Sequence, residues 1–199
     1  MSEYVKFSCE CVAAEITSFG GLAELNAHRR KLLDLRLIGV DPHGIGFGNL
    51  SVRDGATDNF YVTGSATGGI QELTLSDCAK VVACDFEANR VRYEGSALPS
   101  SESLTHAAIY ESDATAGAVI HCHDFKLWAA VLNEAPTTPK TAEYGTPEVA
   151  NEIMQLFTRT DVQSRKIVVM AGHEAGILTF GKDLEQAFAV LMRERQQAV

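Results

Sequence analysis

Residues 120–125 read Ile-His-Cys-His-Asp-Phe, two histidines one position apart at the end of the apolar run Gly117–Ile120. In a strand, side chains at i and i+2 share a face, so His121 and His123 can reach one ion together while Cys122 points the other way. Taken alone, a His-x-His pair is more often one core and one surface histidine than half of a metal site. A third imidazole changes the balance. His173 lies 50 residues on (173 − 123), in Met-Ala-Gly-His-Glu-Ala-Gly, a tight turn between two apolar stretches. Three neutral imidazoles with an open position are the ligand set of a catalytic zinc or similar divalent ion, and no cysteine has the spacing to close a structural site with them.

Pro99-Ser-Ser-Glu102 is the second chemical feature. Glu102 falls in the first turn of an expected helix, where the macrodipole favours a carboxylate in any protein. Beside a metal it would serve as acid and base, with the Ser100 and Ser101 hydroxyls on a polar substrate end. His106, one turn later, could hydrogen-bond Glu102 or be a spare ligand; the structural role is preferred. Phe47-Gly-Asn-Leu-Ser-Val-Arg53 and Val62-Thr-Gly-Ser-Ala-Thr-Gly-Gly69 add backbone N–H groups and polar side chains, although glycine clusters mark ordinary turns more often than anion sites. His28, among Arg29, Arg30 and Lys31, reads as a solvated helix residue, and His43 as a loop residue without a role.

The elements that must position these groups follow from periodicity. The first forty residues read as helical, with Leu22, Leu25, Leu32 and Leu35 at helical spacing and Gly39 as the stop. Asn49–Arg53 and Asn59–Gly64 read as short strands, and Lys80–Gly95 as a hairpin turning near Ala88-Asn89. Pro99 ends the extended stretch, and Ser100 or Ser101 is expected to cap the next helix. A strand into His121, a short helix through Trp128 and Val131, a proline-rich loop over 134–147 and a helix over 148–160 come next. Two apolar strands flank His173, and Leu184, Ala187, Phe188, Leu191 and Met192 form the stripe of a last helix. Helices alternating with strands, several at hairpin spacing, predict a mixed sheet layered with helices.

Composition limits the function. A chain of 199 residues with 46% hydrophobic and 22% charged residues reads as one globular domain over 1–199. A net charge of −9 argues against nucleic acid or an anionic membrane as partner, leaving a small-molecule substrate. Five cysteines without a CxxC pair fit a reducing cytoplasm. The start, Met-Ser-Glu-Tyr-Val-Lys-Phe-Ser-Cys-Glu-Cys-Val-Ala-Ala-Glu, is charged throughout and reads as neither leader nor anchor.

In order and spacing, these pieces resemble the class II aldolase/adducin-head family, which includes L-fuculose-phosphate and L-rhamnulose-phosphate aldolases and L-ribulose-phosphate 4-epimerase. The matching segments are 46–53, Thr67–Leu73, 99–102, 106–110, 118–124, 144–150 and 172–188, so the likeness runs from about Leu22 to Met192. The resemblance implies a three-layer α/β/α fold around a mainly antiparallel sheet, assembled as a homotetramer with active sites at subunit interfaces. It implies Zn2+, or another divalent ion such as Mn2+ or Co2+, on His121, His123 and His173. Glu102 would be the catalytic acid/base, and Asn49, Thr67, Gly68, Ser100 and Ser101 match the phosphate-binding positions. The implied activity is that of a lyase cleaving or forming a C–C bond of a small hydroxy-carbonyl or sugar-phosphate substrate through a metal-stabilised enediolate. Epimerisation or dehydration at the same site, and a non-catalytic adducin-like assembly head, are the alternatives. The joint presence of three histidines and Glu102 favours the enzyme.

Some residues depart from the family pattern. Glu174 replaces the glycine after the third histidine, as a metal-side carboxylate or a solvent-facing one. The segment that carries a proton-donating tyrosine in the sugar-phosphate aldolases is missing, and Tyr144 lies elsewhere. No lysine or arginine neighbours the Gly64–Gly69 loop, which argues against a phosphorylated substrate.

Overall fold

The computed structural model describes residues 6–198; residues 1–5 of the segment read as neither leader nor anchor, and Val199, lie outside them. The chain runs β1 (Ser8–Ala13), α1 (Leu22–Asp34), β2 (Gly39–Val40), β3 (Gly46–Phe47), β4 (Asn49–Arg53), β5 (Phe60–Thr63), β6 (Cys78–Asp85) and β7 (Arg90–Glu94). It continues through α2 (Ser103–Ser112), β8 (Ala118–His123), α3 (Phe125–Val131), β9 (Thr137–Thr138), α4 (Pro147–Arg159), α5 (Val162–Arg165), β10 (Ile167–Met170), β11 (Gly176–Gly181) and α6 (Leu184–Gln197).

Nine strands form one sheet in the order β1-β7-β6-β5-β4-β8-β11-β10-β9, antiparallel except for the outer pairs β1–β7 and β10–β9. Each face of the sheet buries its own apolar cluster, and side-chain alternation decides which residue goes where. Ala118, Ile120 and Cys122 of β8 face one cluster, with Leu25 and Leu32 of α1, Leu127 of α3 and Leu184, Ala187 and Leu191 of α6. Val119 of the same strand joins the other, with Leu104, Ala108 and Ile109 of α2 and Val149, Ala150 and Ile153 of α4. The architecture is therefore α/β/α around a mainly antiparallel sheet, as expected. The odd positions of β8, His121 and His123 included, face the α2/α4 side.

The structure corrects several expectations drawn from periodicity. Residues 8–13 are a strand, not helix, because pairing Cys9 with Val91 and its neighbours fills the open edge of β7. Helix α1 stops at Asp34, before Gly39. The Arg36 and Leu37 N–H groups donate back to Leu33 and Leu32 with Arg36 at φ 57°, a Schellman cap with arginine where glycine is the usual residue. Neither Ser100 nor Ser101 caps α2. The cap position is Glu102, and the Ser100 carbonyl accepts from the Ser103 N–H and hydroxyl instead. His28 is buried, not solvated: its ring contacts the Glu24 carbonyl and Glu185 Oε2 at 3.1 Å each. Within the expected loop over 134–147, β9 pairs with β10.

Candidate functional site

His121 and His123 are carried by the middle of the sheet. β8 is paired on both sides, Asn49 of β4 lying opposite His121 on one side and Leu178 of β11 on the other. Gly176 pairs with His123, so the turn that opens β11 delivers His173 beside it. Ala175, at φ 64°, and the bond from the Gly176 N–H to the His173 carbonyl close that turn tightly. The ring centroids stand 5.1 Å apart for His121 and His123, 5.1 Å for His121 and His173, and 4.6 Å for His123 and His173. One ligand nitrogen from each ring lies within 4.8 Å of the others.

The His121 ring has its tautomer set by a carbonyl. Nδ1 lies 3.2 Å from the Ile177 oxygen, which only accepts, so Nδ1 carries the proton and Nε2 keeps its lone pair. Burial pushes His121 well below the usual imidazole range and His123 down to about 4, with neighbouring imidazoles adding to the effect. Both rings are therefore neutral donors at neutral pH. The chemistry of the donor set fits a divalent ion: three imidazole nitrogens on a rigid frame.

Glu102 is buried at 1% exposure beside them. Its Oε2 accepts from the Thr105 hydroxyl at 2.7 Å. Oε1 stands 3.4 Å from His173 Nδ1 without an aligned hydrogen bond, an electrostatic contact that leaves one lone-pair side open. Burial alone would raise this carboxyl; the His173 and His121 imidazoles and the Thr105 hydroxyl outweigh it and hold it down to about 2. The group is an anion at neutral pH.

These residues line one cavity of about 580 Å³, and Asn49, Thr67, Gly68, Ser100 and Ser101 line the same cavity. Asn49 is buried, with Oδ1 unpartnered among the described residues. Gly68 has no room for a side chain, since a Cβ there would collide with the Gly39 carbonyl of β2. Every site residue expected from sequence is thus brought to one place. Glu174 is exposed and absent from the cavity wall, so of its two readings the solvent-facing one holds. His106 is not with the ligand nitrogens: Nδ1 bonds Ser51 Oγ at 2.7 Å, which in turn meets the Tyr110 hydroxyl at 2.8 Å.

Sequence reasoning missed three residues here. Tyr144, given no role, lines the cavity and packs on His173 with centroids 4.6 Å apart. Arg29, fully buried, donates to the Thr67 and Ile70 carbonyls at 3.0 and 2.8 Å. Arg36 lines the cavity itself. The expectation that no arginine serves the Gly64–Gly69 loop is therefore wrong: α1 brings Arg29 under that loop from a distant part of the chain. A cation followed directly by two more basic residues looks solvated in sequence, and only the packing shows otherwise.

Comparison with known proteins agrees with this geometry. Residues 43–194 match the model of the Class II Aldolase and Adducin N-terminal domain. An L-fuculose 1-phosphate aldolase structure is 27% identical, with a TM-score of 0.65, over 91% of this chain and 84% of that one. L-fuculose-1-phosphate aldolase from Thermus thermophilus is 20% identical, with a TM-score of 0.63, over 89% and 90% of the two chains. A sugar-phosphate aldolase from Thermotoga maritima shares 15% identity and the fold, with a TM-score of 0.66 over 89% and 91%. A match that spans most of the chain, and takes in all three histidines and Glu102, makes this protein a member of the class II aldolase and adducin N-terminal domain family.

Proposed function

We propose that the protein is a metal-dependent lyase of aldolase type, acting on a C–C bond of a small hydroxy-carbonyl or sugar-phosphate compound. One observation carries the reading: three imidazoles converge beside a buried, anionic Glu102 in a cavity large enough for such a substrate. His121, His123 and His173 would hold Zn2+ or another divalent ion. That ion, when bound, supplies Lewis acidity toward a substrate oxygen.

The chain's own residues do the rest. Ile177 fixes the His121 ring through its carbonyl, so the donor nitrogen needs no reorientation on binding. Glu102 accepts the proton released at the reacting carbon or hydroxyl and later returns it, with Thr105 holding one oxygen so that Oε1 faces the substrate. Asn49, Thr67, Gly68, Ser100 and Ser101 orient the polar end of the substrate. The sheet and α2 wall the carboxylate off from bulk water, which strengthens each of these contacts. The remaining parts of the proposal are a single domain over 1–199, a homotetramer with sites at subunit interfaces and a cytoplasmic location. Among the described residues no helix is long and apolar enough to cross a membrane.

Glu102→Gln tests the role assigned to the carboxylate. Aldol-cleavage turnover on a panel of ketose phosphates and hydroxy-ketones should fall about 10²–10⁴-fold while bound metal stays at the wild-type level. Product analysis scores cleavage apart from epimerised or dehydrated product. Turnover unchanged by the substitution removes Glu102 from the mechanism.

A further inference from the structure

We propose that Arg36 recognises an anionic group of the substrate. The inference rests on the lyase reading and goes further by naming the charge that this substrate carries and the residue that reads it.

Two independent observations meet at this residue. Arg36, an exposed residue, lines the cavity shared by the three histidines and Glu102. Among the described residues its guanidinium makes no hydrogen bond and no ion pair, although it is a group with several donors in a fixed fork. Asp41, the nearest acid in sequence on the cavity wall, is already occupied, its Oδ1 accepting from the His43 and Ile45 N–H groups.

The second observation is the backbone. Arg36 sits at φ 57° in the left-handed position that closes α1, where glycine is free of strain and arginine is not. A strained residue at a cavity wall points to a use for its side chain. The cap also fixes its place relative to the metal ligands: the carbonyl of Leu37, the next residue, accepts from the His123 N–H at 2.9 Å. Phe47, from the strand that pairs with β2, packs its ring 5.2 Å from His123 and completes that wall. The backbone of this turn is thus tied to the frame that holds the triad. Of the other residues on the lining, Asn49, Ser65, Thr67, Ser100 and Ser101 carry uncharged polar side chains, and Glu102 and Asp41 are acids. Among the described residues Arg36 is the one arginine or lysine on the cavity lining, so an anionic group entering the cavity finds its permanently charged counter-ion there, and a bidentate contact to carboxylate or phosphate suits the fork.

Glycine is the informative replacement, because it relieves the strain while removing the charge. Chelator-stripped and metal-reconstituted samples of wild type, Arg36→Gly and Arg36→Lys are titrated calorimetrically with inorganic phosphate and, separately, acetate. Arg36→Gly should keep its thermal midpoint within about 2 °C of wild type. It should bind at least one of the two anions more weakly, by about tenfold or more. Arg36→Lys, which retains charge without the fork, should fall between. The anion whose binding drops names the class, phosphate or carboxylate. Equal binding of both anions by wild type and Arg36→Gly, or no binding of either by wild type, overturns the assignment. Metal content of the same samples separates this from the lyase reading. A metal-free wild type that still loses anion binding on Arg36→Gly sinks the lyase and keeps the anion site; the converse pattern does the opposite.

Discussion

The cavity is built from two kinds of wall. One is β8 and the start of β11, where His121, His123 and His173 stand on paired backbone with neighbours on both sides. The other is the stretch from Arg36 to Gly48 with the facing Gly64–Ile70 turn, where two-residue strands, capped turns and positive-φ residues replace a ladder. The first wall holds three imidazoles with one nitrogen of each within 4.8 Å of the others, and a central strand cannot drift without breaking both its pairs. The second is built of loops and turns, the kind of backbone that tolerates insertion and substitution. On the proposed reading the metal ligands sit on the rigid wall, and Arg36, Thr67 and Gly68 on the loop wall.

Two of the buried imidazoles, His123 on the rigid wall and His106 on α2, are held neutral by the fold, and acid should expose that. Burial lowers His106 and His123 to about 4 in the folded chain, against about 6.5 when unfolded. Between those values the unfolded state binds more protons, so stability falls as pH falls from about 6.5 to about 4, by up to about 3 kcal/mol per group. Glu102 adds a loss of the same sign in a lower window, below about 4.5, because its carboxyl is depressed. Denaturant unfolding of metal-free protein at a series of pH values checks this. A stability that stays flat from pH 7 to 4.5 would break the contrast between the walls.

The loop wall depends on Arg29, whose Nη2 satisfies the Thr67 and Ile70 carbonyls from beneath. Burial lowers its affinity for a proton, with Cys78 and Asp77 partly offsetting that, and Nε and Nη1 stay unpartnered among the described residues. Arg29→Met removes an expensive buried cation but orphans two carbonyls. We expect a net loss of about 2 kcal/mol, smaller than the acid effect, with faster amide exchange confined first to residues 64–70. A gain in stability would mean that desolvation of the guanidinium outweighs its hydrogen bonds.

What could be read from sequence divides along the same line. The metal wall was legible because strand periodicity is local: His121 and His123 share a face by the i, i+2 rule, and glycines around His173 mark a turn. Glu102 was legible as a helix-start carboxylate, although its cap position was off by a turn residue. Arg29 and Arg36 were not legible. Nothing local distinguishes a buried arginine beneath a distant loop from a solvated one, and an arginine in a glycine position at a helix end carries no mark in the sequence. Strand β1 escaped for the same reason, since its exposed side chains have little pattern and the free edge of β7 supplies the drive to pair. Tyr144 reached His173 by tertiary folding of a proline-rich loop that has no period to read.

The central claim is that His121, His123 and His173 hold one metal ion. The direct measurement is metal content per chain by elemental analysis, on protein purified without an affinity tag or added metal, wild type beside His173→Ala. The account predicts close to one equivalent of a divalent metal in the wild type and essentially none in a variant that remains folded. No metal in either protein after soaking with zinc, or equal metal in both, would contradict it and favour a non-catalytic head built on the same fold.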